Sequence, residues 1–448
     1  MARGLLGGDV LGRLDVFDAQ ESDIIGWRVG MQQFFLSRSP AHLEHVFIGA
    51  QDRYRKSVHY RLIAAVTGEG LLTAEGEPWA RSRRLVQPVF AKRHLHALTP
   101  HMVSATEDYL TGWGSLPDGT TLDVAAAMSE LTLDVVGRTL FGATLSDAAE
   151  RLRPAVVVGL RTGVAAARLQ MLLSLPRPLV DLGGRLLLRS PPRPRSLRRI
   201  RDAMQTIDSV VNDIIDTRLT NPVPADSRTD LLGLLLDARD EGGTTMDRRQ
   251  VRDEAVTMML AGHETTANGL AWLWHLLATH PDARDRMVAE VDAVLGGHPP
   301  TGADIERLTW TAACFHEAMR LYPPAWVLER EAVTDDNLGE YAVPRGSTVI
   351  FPVWSIHRDP RWWDNPDSFN PERFLPDRPP PTRGTYLPFG AGRRVCVGAA
   401  FAQMEAVVLA AMITQRYTLR SAPDAEIIPE PTVTLRPRHG LPMRLTAR

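Results

Sequence analysis

Cys396 is the residue whose neighbours most clearly indicate chemistry. It lies in the segment FGAGRRVCVG, residues 389–398, and it opens the run CVGAAFAQMEAVVLAAMITQRY, which is apolar on nearly every side and predicts a buried helix. The unpaired N–H groups at a helix N-terminus stabilise an anion, so this position favours a thiolate. Gly390, Gly392 and Gly398 allow the backbone to turn tightly and to approach a flat group closely.

Arg394, two residues before the cysteine, could pair with a carboxylate on that same group. A thiolate, a closely approaching backbone and an arginine fit an axial ligand to haem iron with an anchor for a haem propionate. A buried cysteine in a glycine-rich turn is the alternative interpretation. The spacing F-x-x-G-x-R-x-C-x-G, formed by Phe389, Gly392, Arg394, Cys396 and Gly398, favours the haem ligand. The segment resembles the haem-binding loop of the cytochrome P450 family.

A second segment, AGHETT at residues 261–266, lies in the middle of a helical pattern from Asp247 to Thr279. Glycine in a helix interior costs about 1 kcal/mol relative to alanine. Threonine hydroxyls compete for the backbone carbonyls. A long helix that is weakened at its centre indicates a functional site, although the same residues could produce only a mild kink.

The family resemblance assigns roles to this segment. It implies that the long central helix crosses the haem, that Gly262 leaves room for dioxygen and that Thr265 hydrogen-bonds the dioxygen. Glu264 is expected to relay protons from solvent. Glu264 and Thr265 are therefore the predicted catalytic residues, and Cys396 is the predicted metal ligand. His263 is predicted to be no ligand.

A third pattern consists of Glu317 and Arg320 in EAMR, and of Arg373 in FNPERF. Residues three apart share one helix face, so Glu317 and Arg320 can pair. Such pairs are common on surfaces, but the apolar neighbours of this segment indicate burial, where an ion pair needs further hydrogen bonds. The resemblance implies a structural Glu–Arg–Arg network that supports the cysteine loop from behind.

Two further sites are predicted to hold the haem propionates. The segment PWARSRR places Trp79 and Arg83 four residues apart, on one face of a helix. A tryptophan at a helix start beside a solvated basic face is the alternative interpretation. The resemblance implies that Trp79 and Arg83 contact one propionate and that Arg330, in LEREAVTD, contacts the other. Together with Gly262 and the cysteine loop, these residues form the predicted cofactor-binding set. The predicted binding residues of the loop are Phe389, Gly392, Arg394, Cys396 and Gly398.

The rest of the sequence predicts a mainly α protein with small β-sheets. Helical apolar spacing recurs in SATEDYLTGWGSL, TLDVAAAMSELTLDVVGRTLFG and IRDAMQTIDSVVNDIIDTRL. Strands are predicted at YRLIAAV (residues 60–66), at STVIFPV and in the tail TVTLRP…LPMRL. Because the motifs follow the family's order from residue 79 to residue 398, we expect the cytochrome P450 fold as a single domain over residues 1–448.

Composition and charge exclude several other classes. The formal net charge is -2, which gives no support to a nucleic-acid partner. Two cysteines cannot form a disulfide framework or a cysteine zinc site, and their thiols indicate a reducing compartment. The N-terminal residues lack the apolar core of a signal peptide, and no stretch is long enough for a membrane span. We therefore expect a soluble cytoplasmic protein.

The resemblance implies a haem-thiolate monooxygenase. Such an enzyme uses haem b and O2 to insert one oxygen atom into a hydrophobic molecule, by hydroxylation or epoxidation. Because the sequence shows no dinucleotide- or flavin-binding pattern, electrons from NAD(P)H are expected to arrive through a separate ferredoxin or flavodoxin-type protein. Two alternatives remain open: a haem-thiolate enzyme for oxidative coupling or another non-insertion reaction, and a non-enzymatic haem sensor. The Glu264–Thr265 pair weighs against the sensor but does not exclude oxidative coupling.

The substrate pocket is predicted from positions relative to these motifs. The family pattern places it along the central helix, before Trp79, in PPAWVL (323–328) and at the turn TVT (432–434), although some of these residues could belong to an ordinary core. A hydrophobic substrate of secondary metabolism is expected, such as a terpenoid, polyketide, fatty acyl chain or steroid. The predicted lining residues are Leu72, Met258, Ala261, Trp326, Val327 and Val433.

Two surface regions could serve partners. Five basic side chains border the proximal face of the haem in the family, where they would form either a docking patch for an acidic electron donor or a merely solvated face. Segment 165–199, apolar and then basic, falls where the family has a mobile lid. Contact with a membrane surface or with a carrier protein that bears the substrate are the alternatives for this segment. The five basic residues are Arg81, Arg84, Lys92, Arg93 and Arg393.

Overall fold

Helices form most of the chain in a computed structural model, which describes residues 9–20, 22–142, 195–221 and 230–448, together with Leu152, Ala155 and Val158. The mainly α class with small sheets is therefore confirmed. The α-helices of these residues are α1 (Val10–Asp18), α2 (Pro40–Glu44), α3 (His59–Thr67), α4 (Gly76–Val86), α5 (Lys92–Gly114), α6 (Val124–Phe141), α7 (Arg195–Thr220), α8 (Leu231–Asp237), α9 (Arg248–Thr279), α10 (Pro281–Leu295), α11 (Gly302–Ile305), α12 (Thr309–Leu321), α13 (Val353–Ile356) and α14 (Ala399–Arg416).

The strands of the described residues form four small sheets. A five-stranded sheet has the order β1-β2-β8-β5-β3, with β2 and β8 parallel and the other pairs antiparallel. The other sheets are β4-β12-β9, β10-β11 and β6-β7. The strands are β1 (Ile24–Val29), β2 (Gln32–Ser37), β3 (Tyr54–Arg55), β4 (Thr121–Asp123), β5 (Val327–Ala332), β6 (Asp336–Leu338), β7 (Tyr341–Val343), β8 (Thr348–Pro352), β9 (Tyr417–Ser421), β10 (Pro429–Pro431), β11 (Leu435–Pro437) and β12 (Pro442–Ala447).

Helix α9 is the predicted long central helix and runs unbroken for 32 residues. It begins at a capping box, in which Asp247 and Gln250 each bond the backbone N–H of the other. It packs against α6, α12 and α14, and its second half is buried around Trp272. Helix α9 is therefore held between several neighbouring helices.

Two sequence predictions of secondary structure are wrong in part. Residues 60–66, predicted as a strand, lie in helix α3, which ends at Gly68 with a φ of +74°. A short apolar run does not distinguish helix from strand, and the terminating glycine was the available signal. Residues 121–123, predicted as the start of a helix, form strand β4. There the Asp123 side chain instead caps α6 by accepting from Ala125 and Ala126.

The other predicted elements are present. The remaining helical patterns fall within α5, α7 and α9, and the strands at residues 347–353 and in the C-terminal tail correspond to β8, β11 and β12. Within the described ranges, no helix combines the length and the apolar character that crossing a membrane requires. Segment 165–199 lies outside the described residues except for 195–199, which begin α7.

Candidate active site

The cysteine loop, residues 387–398, presents Cys396 to an internal cavity. The Cys396 N–H donates to the Phe389 carbonyl at 2.9 Å, which folds the loop back on itself. Gly392 has a φ of +69°, and a Cβ there would lie 2.0 Å from the Phe47 carbonyl oxygen, so only glycine fits this turn. Helix α14 begins at Ala399 rather than at the cysteine, with Gly398 as its N-cap.

The Cys396 thiol is open to the cavity, while the surrounding protein screens it from bulk water. This burial raises the pKa of the thiol, and the Gly398 N–H and the charge of Arg83 oppose the rise. The helix terminus therefore stabilises a thiolate, as predicted, but burial has the larger effect on the pKa of the thiol. A metal ion deprotonates a thiol that coordinates it, so the site is suited to a cysteine that becomes a thiolate when it binds iron.

The opposite wall of the cavity is the centre of α9, where Ala261, Gly262 and Thr265 line it. The Thr265 hydroxyl donates to the Ala261 carbonyl at 2.7 Å, and the Thr266 hydroxyl donates to the Gly262 carbonyl at 3.0 Å. A Cβ at Gly262 would have only one neighbouring group, Val136 at 3.6 Å. Packing among the described residues therefore does not require glycine there, and its missing side chain leaves space on the cavity side of the helix.

Glu264 is turned away from this cavity and towards the hairpin of β10 and β11. Its Oε1 accepts from the Thr434 hydroxyl at 2.9 Å, and the Thr434 oxygen accepts from the Asn268 amide at 3.1 Å. Burial raises the pKa of Glu264, while the Thr434 hydrogen bond and the charge of Arg436 restrain the rise. The proton affinity of Glu264 is thus set by burial on one side and by Thr434 and Arg436 on the other.

His263 lies on another face of α9, as the sequence predicted for a residue that is no ligand. Its Nε2 is 3.4 Å from the Ser129 hydroxyl on α6, and the side chain is outside the cavity lining among the described residues. Burial lowers the pKa of His263 to about 4, so the ring is neutral at physiological pH. The side chain serves the packing of α9 against α6.

One part of the cavity wall is a cluster of groups suited to anions. The four predicted propionate contacts line the cavity, together with Lys56 and Tyr60, which the sequence analysis did not identify. Burial lowers the pKa of Lys56 well below its usual value, and the nearby charges of Arg394 and Arg330 lower it further. Burial likewise lowers the pKa of Arg394 to about 10. The four predicted contacts are Trp79, Arg83, Arg330 and Arg394.

Protein groups also bind two of the cations that would hold the propionates. Arg394 pairs with Glu75, donates to the Ala74 carbonyl at 3.1 Å and lies over the Trp79 ring at 4.3 Å. Arg83 donates to the Val395 carbonyl at 2.8 Å, which ties helix α4 to the cysteine loop. Lys56, Arg330 and Arg394 repel one another, and few carboxylates line the cavity beside them. This arrangement favours an anionic ligand.

These features fit haem. The cavity encloses about 1710 Å³ of space between atoms, part of it open to solvent. It has the Cys396 thiol on one wall, the space beside Gly262 on another, and a cationic cluster that could accept two propionates. Cys396 would hold the iron, and Trp79, Arg83, Arg330 and Arg394 with Lys56 and Tyr60 would hold the carboxylates.

The predicted Glu–Arg–Arg network is present and buried. Arg320 donates from Nε and Nη2 to the two carboxylate oxygens of Glu317, at 2.7 and 2.8 Å. Arg373 lies 3.4 Å from the same carboxylate, and the Asn370 N–H donates to it at 2.9 Å. Arg320 also donates to the main-chain carbonyls of residues 357, 366 and 368. Each charge is thus compensated, as burial of an ion pair requires.

His357 connects this network to the cysteine loop and was missed in the sequence. Its Nδ1 lies 3.1 Å from the Arg320 carbonyl oxygen, and its Nε2 accepts from the Leu387 N–H at 2.7 Å. Burial lowers the pKa of His357 to about 3, so the ring is neutral and Nε2 is free to accept. Nothing in the local sequence identifies this role, since both partners are about 30 residues or more distant.

The predicted substrate-pocket residues are only partly brought together. Leu72, Met258 and Ala261 line the cavity. Within the described residues, Trp326, Val327 and Val433 are outside its lining, and Ala325 and Leu328 take their places on that wall. Trp326 instead packs in a separate hydrophobic cluster with α1 and donates to the Thr432 carbonyl at 3.0 Å, and these contacts hold its side chain outside the cavity lining.

Comparison with known proteins agrees with this geometry. The sequence profile of the cytochrome P450 family matches residues 12–442. A Mycobacterium tuberculosis protein described as cytochrome P450 132 is 40% identical over 97% of this chain and 91% of its own length. Pentalenene oxygenase from Streptomyces avermitilis is 31% identical over 95% of this chain and 90% of its own.

The fold is also that of a solved structure. The heme domain of cytochrome P450DA superposes with a TM-score of 0.87, covering 99% of this chain and 95% of that domain, at 24% sequence identity. The predicted fold is therefore confirmed. The chain belongs to the cytochrome P450 family, whose members are oxidoreductases that use haem b and O2 with electrons from NAD(P)H.

Proposed function

We propose that the protein is a monooxygenase that inserts one oxygen atom of O2 into a hydrophobic small molecule, by hydroxylation or epoxidation. The observation that carries this proposal is the cavity with Cys396 on one wall and Gly262 and Thr265 on the other. Haem bound to a cysteine thiolate supplies the activation of O2. The chain itself binds and orients the substrate, excludes water and delivers protons.

Proton delivery is assigned to Glu264 and Thr265. Thr265 lines the cavity, and Glu264 lies one residue earlier on α9, where its carboxyl oxygen is held by Thr434. Glu264 would accept a proton at Oε on the hairpin side of α9, and a rotation of its side chain would bring that proton to the cavity. The raised pKa of Glu264 brings the group closer to neutral pH, which suits a group that must both take up and release a proton.

Substrate class follows from the remaining cavity lining. Apolar side chains dominate it, including Leu71, Leu72, Leu140, Met258 and Leu328, so the bound molecule is predominantly hydrocarbon. The name of the Streptomyces avermitilis relative specifies pentalenene as the molecule that it oxygenates, and this supports pentalenene as the first compound to test.

Electron supply is assigned to a separate ferredoxin or flavodoxin-type protein. The proposed docking region is a surface groove beside the cysteine loop, whose charged lining residues are Arg83, Arg84 and Arg239 together with the acidic Asp240 and Glu241. The predicted basic residues on this side are not free of acidic neighbours, since Arg84 pairs with Glu77 and Arg393 pairs with Asp52, both at 2.8 Å. These exposed pairs are weak, so an acidic partner can displace them.

The test combines substrate binding with turnover. Haem-loaded protein is titrated with pentalenene and with representative polyketides, fatty acids and steroids, and the shift of the haem spin state is recorded. Compounds that bind are then incubated with a surrogate ferredoxin, its reductase, NADPH and isotopically labelled O2. One labelled oxygen atom in the product supports the proposal. Products that are coupled or rearranged without label would favour a non-insertion reaction, and substrate-independent NADPH consumption throughout would favour a non-enzymatic role.

A further inference from the structure

The hairpin of β10 and β11 touches α9 at the carboxyl group assigned to proton delivery. Thr434, at the end of the turn between the two strands, is 5% exposed, and its hydroxyl contacts both Glu264 and Asn268. Asn268 lies one helical turn after Glu264, so both side chains emerge on the same face of α9. The contact therefore joins two groups of the helix through a single hydroxyl from a distant part of the chain.

The direction of these hydrogen bonds is fixed by chemistry. The Asn268 Nδ2 amide can only donate, so it occupies an acceptor position on the Thr434 oxygen. The Thr434 hydrogen is then directed to Oε1 of Glu264, at 2.9 Å. A donated hydrogen bond of this kind favours the ionised carboxylate and holds one of its oxygens in place.

The turn that carries Thr434 is itself anchored on both sides. The Trp272 indole N–H of α9 donates to the Leu435 carbonyl at 3.1 Å, and the Leu435 N–H donates to the Pro324 carbonyl at 3.0 Å. Within the turn, the N–H and the hydroxyl of Thr432 both donate to the Thr434 carbonyl, at 3.0 and 2.8 Å. The Thr434 hydroxyl is thus positioned by the backbone rather than by a mobile side chain.

We propose that Thr434 is a positioning residue for Glu264, whose carboxylate it orients for proton delivery through the bond that Asn268 directs. This inference rests on the proposed role of Glu264. The charged group that acts on Glu264 from the same hairpin is Arg436, which is paired with Glu430 at 2.9 Å and is about one third exposed. Thr434 supplies orientation at close range, while Arg436 supplies a field that salt and solvent partly screen.

The first measurement titrates Glu264 itself in the haem-loaded protein without substrate. The carboxyl band in the infrared is followed with pH, and the band that Glu264→Gln removes is assigned to Glu264. In Thr434→Val the titration midpoint rises by about one pH unit, because the carboxylate loses a hydrogen bond. Thr434→Ser restores the midpoint, since it keeps the hydroxyl.

The second measurement is the rate of NADPH consumption with a surrogate ferredoxin and its reductase, in H2O and in D2O, again without substrate. Thr434→Val lowers the rate by about tenfold and increases the solvent isotope effect, and Thr434→Ser restores both. Thr432→Val is the matched control, since it removes a hydroxyl from the same turn, leaves the Thr432 N–H bond in place and does not touch Glu264. It changes both measurements much less than Thr434→Val does, because the Thr432 N–H bond still anchors the turn.

The outcomes separate this inference from the proposed function. If Glu264→Gln leaves the rate and the isotope effect unchanged, Glu264 delivers no protons. The proposed role of Glu264 and the positioning role of Thr434 are then both overturned. If Glu264→Gln slows the reaction but Thr434→Val does not, only the role of Thr434 is overturned. Equal loss in Thr434→Val, Thr434→Ser and Thr432→Val would mean that the hairpin matters for structure alone.

Discussion

Arg320 donates to both carboxylate oxygens of Glu317, at 2.7 and 2.8 Å, and neither side chain is reached by solvent. The Arg320 carbonyl is bonded in turn by His357, which accepts from Leu387 at the start of the cysteine loop. The ion pair is therefore part of the support of the haem ligand. Its contribution is geometric, because a buried pair that is fully hydrogen-bonded adds little net stability but is costly to break.

Removing one partner of this pair should destabilise the fold strongly. In Glu317→Gln, Arg320 keeps its charge without a compensating carboxylate, so the free energy of unfolding should fall by about 3–5 kcal/mol. Denaturant unfolding of the haem-loaded protein measures this. Lys92→Ala, which breaks an exposed pair with Glu306, should change the free energy by less than about 1 kcal/mol. If Glu317→Gln does not fold, Arg373→Ala tests the outer member of the network, and an effect as small as that of Lys92→Ala would contradict the account.

Gly262→Ala should separate stability from activity. The new Cβ would touch only Val136 at 3.6 Å, and alanine is favoured over glycine in a helix interior by about 1 kcal/mol. Thermal unfolding should therefore occur at the same temperature or higher, while O2-dependent turnover falls because the space opposite Cys396 is filled. A variant that is both less stable and fully active would show that the glycine serves packing rather than the cavity.

The pair of His59 and Glu329 should make stability depend on pH. Burial acts to lower the pKa of His59, but the charge of Glu329 and their 2.9 Å hydrogen bond outweigh it and raise the pKa. Burial likewise acts to raise the pKa of Glu329, and His59 and Ser57 bring it below its usual value. A raised histidine pKa stabilises the fold below the unfolded pKa of about 6.5, and this is lost as pH rises through the folded value.

The free energy of unfolding should accordingly decrease as pH rises from about 6.5 through the folded pKa of His59. In His59→Gln the decrease should be smaller, because the residue can no longer titrate. Urea unfolding at several pH values measures both proteins, with His439→Gln, an exposed histidine between β11 and β12, as the control. If the unsubstituted protein, His59→Gln and the control show the same pH dependence, the pair of His59 and Glu329 contributes nothing to the pH dependence of stability.

Charge reversal on the proximal side should slow electron transfer. Arg84 is half exposed and pairs only at the surface with Glu77. Arg84→Glu should lower the rate of reduction by an acidic ferredoxin at low salt, because it adds repulsion at the groove beside the cysteine loop. The haem spectrum should be unchanged, and the effect should diminish as ionic strength rises. Arg28→Glu on β1 is the control. Equal rates for both variants would place docking elsewhere.

The sequence predicted those parts of the site that lie within short segments. The spacing around Cys396, the centre of α9 and the Glu317–Arg320 spacing are local patterns, and each was recognisable without knowledge of the fold. Residues that act across long distances were not: Lys56, Tyr60, His357 and Thr434 reach the site only because separate elements pack together. Such contacts leave no pattern in a single sequence that is read without an alignment.

The errors have equally physical causes. Residues 60–66 carry apolar side chains that suit a strand or a helix, and in the structure they form a helix with Gly68 as its C-cap. Residues 323–328 reach the cavity, but Ala325 and Leu328 line it, whereas the contacts of Trp326 with a separate hydrophobic cluster and with the Thr432 carbonyl hold it outside the lining. The single domain over residues 1–448 stays a prediction.

The most direct test of the central claim is the difference spectrum of the dithionite-reduced protein with carbon monoxide. If Cys396 holds the iron as a thiolate, the Soret band shifts strongly to the red, and Cys396→Ser abolishes that shift while retaining the fold. A band at the position of histidine-ligated haem in the unsubstituted protein, unaffected by Cys396→Ser, would contradict the assignment of Cys396 as the ligand.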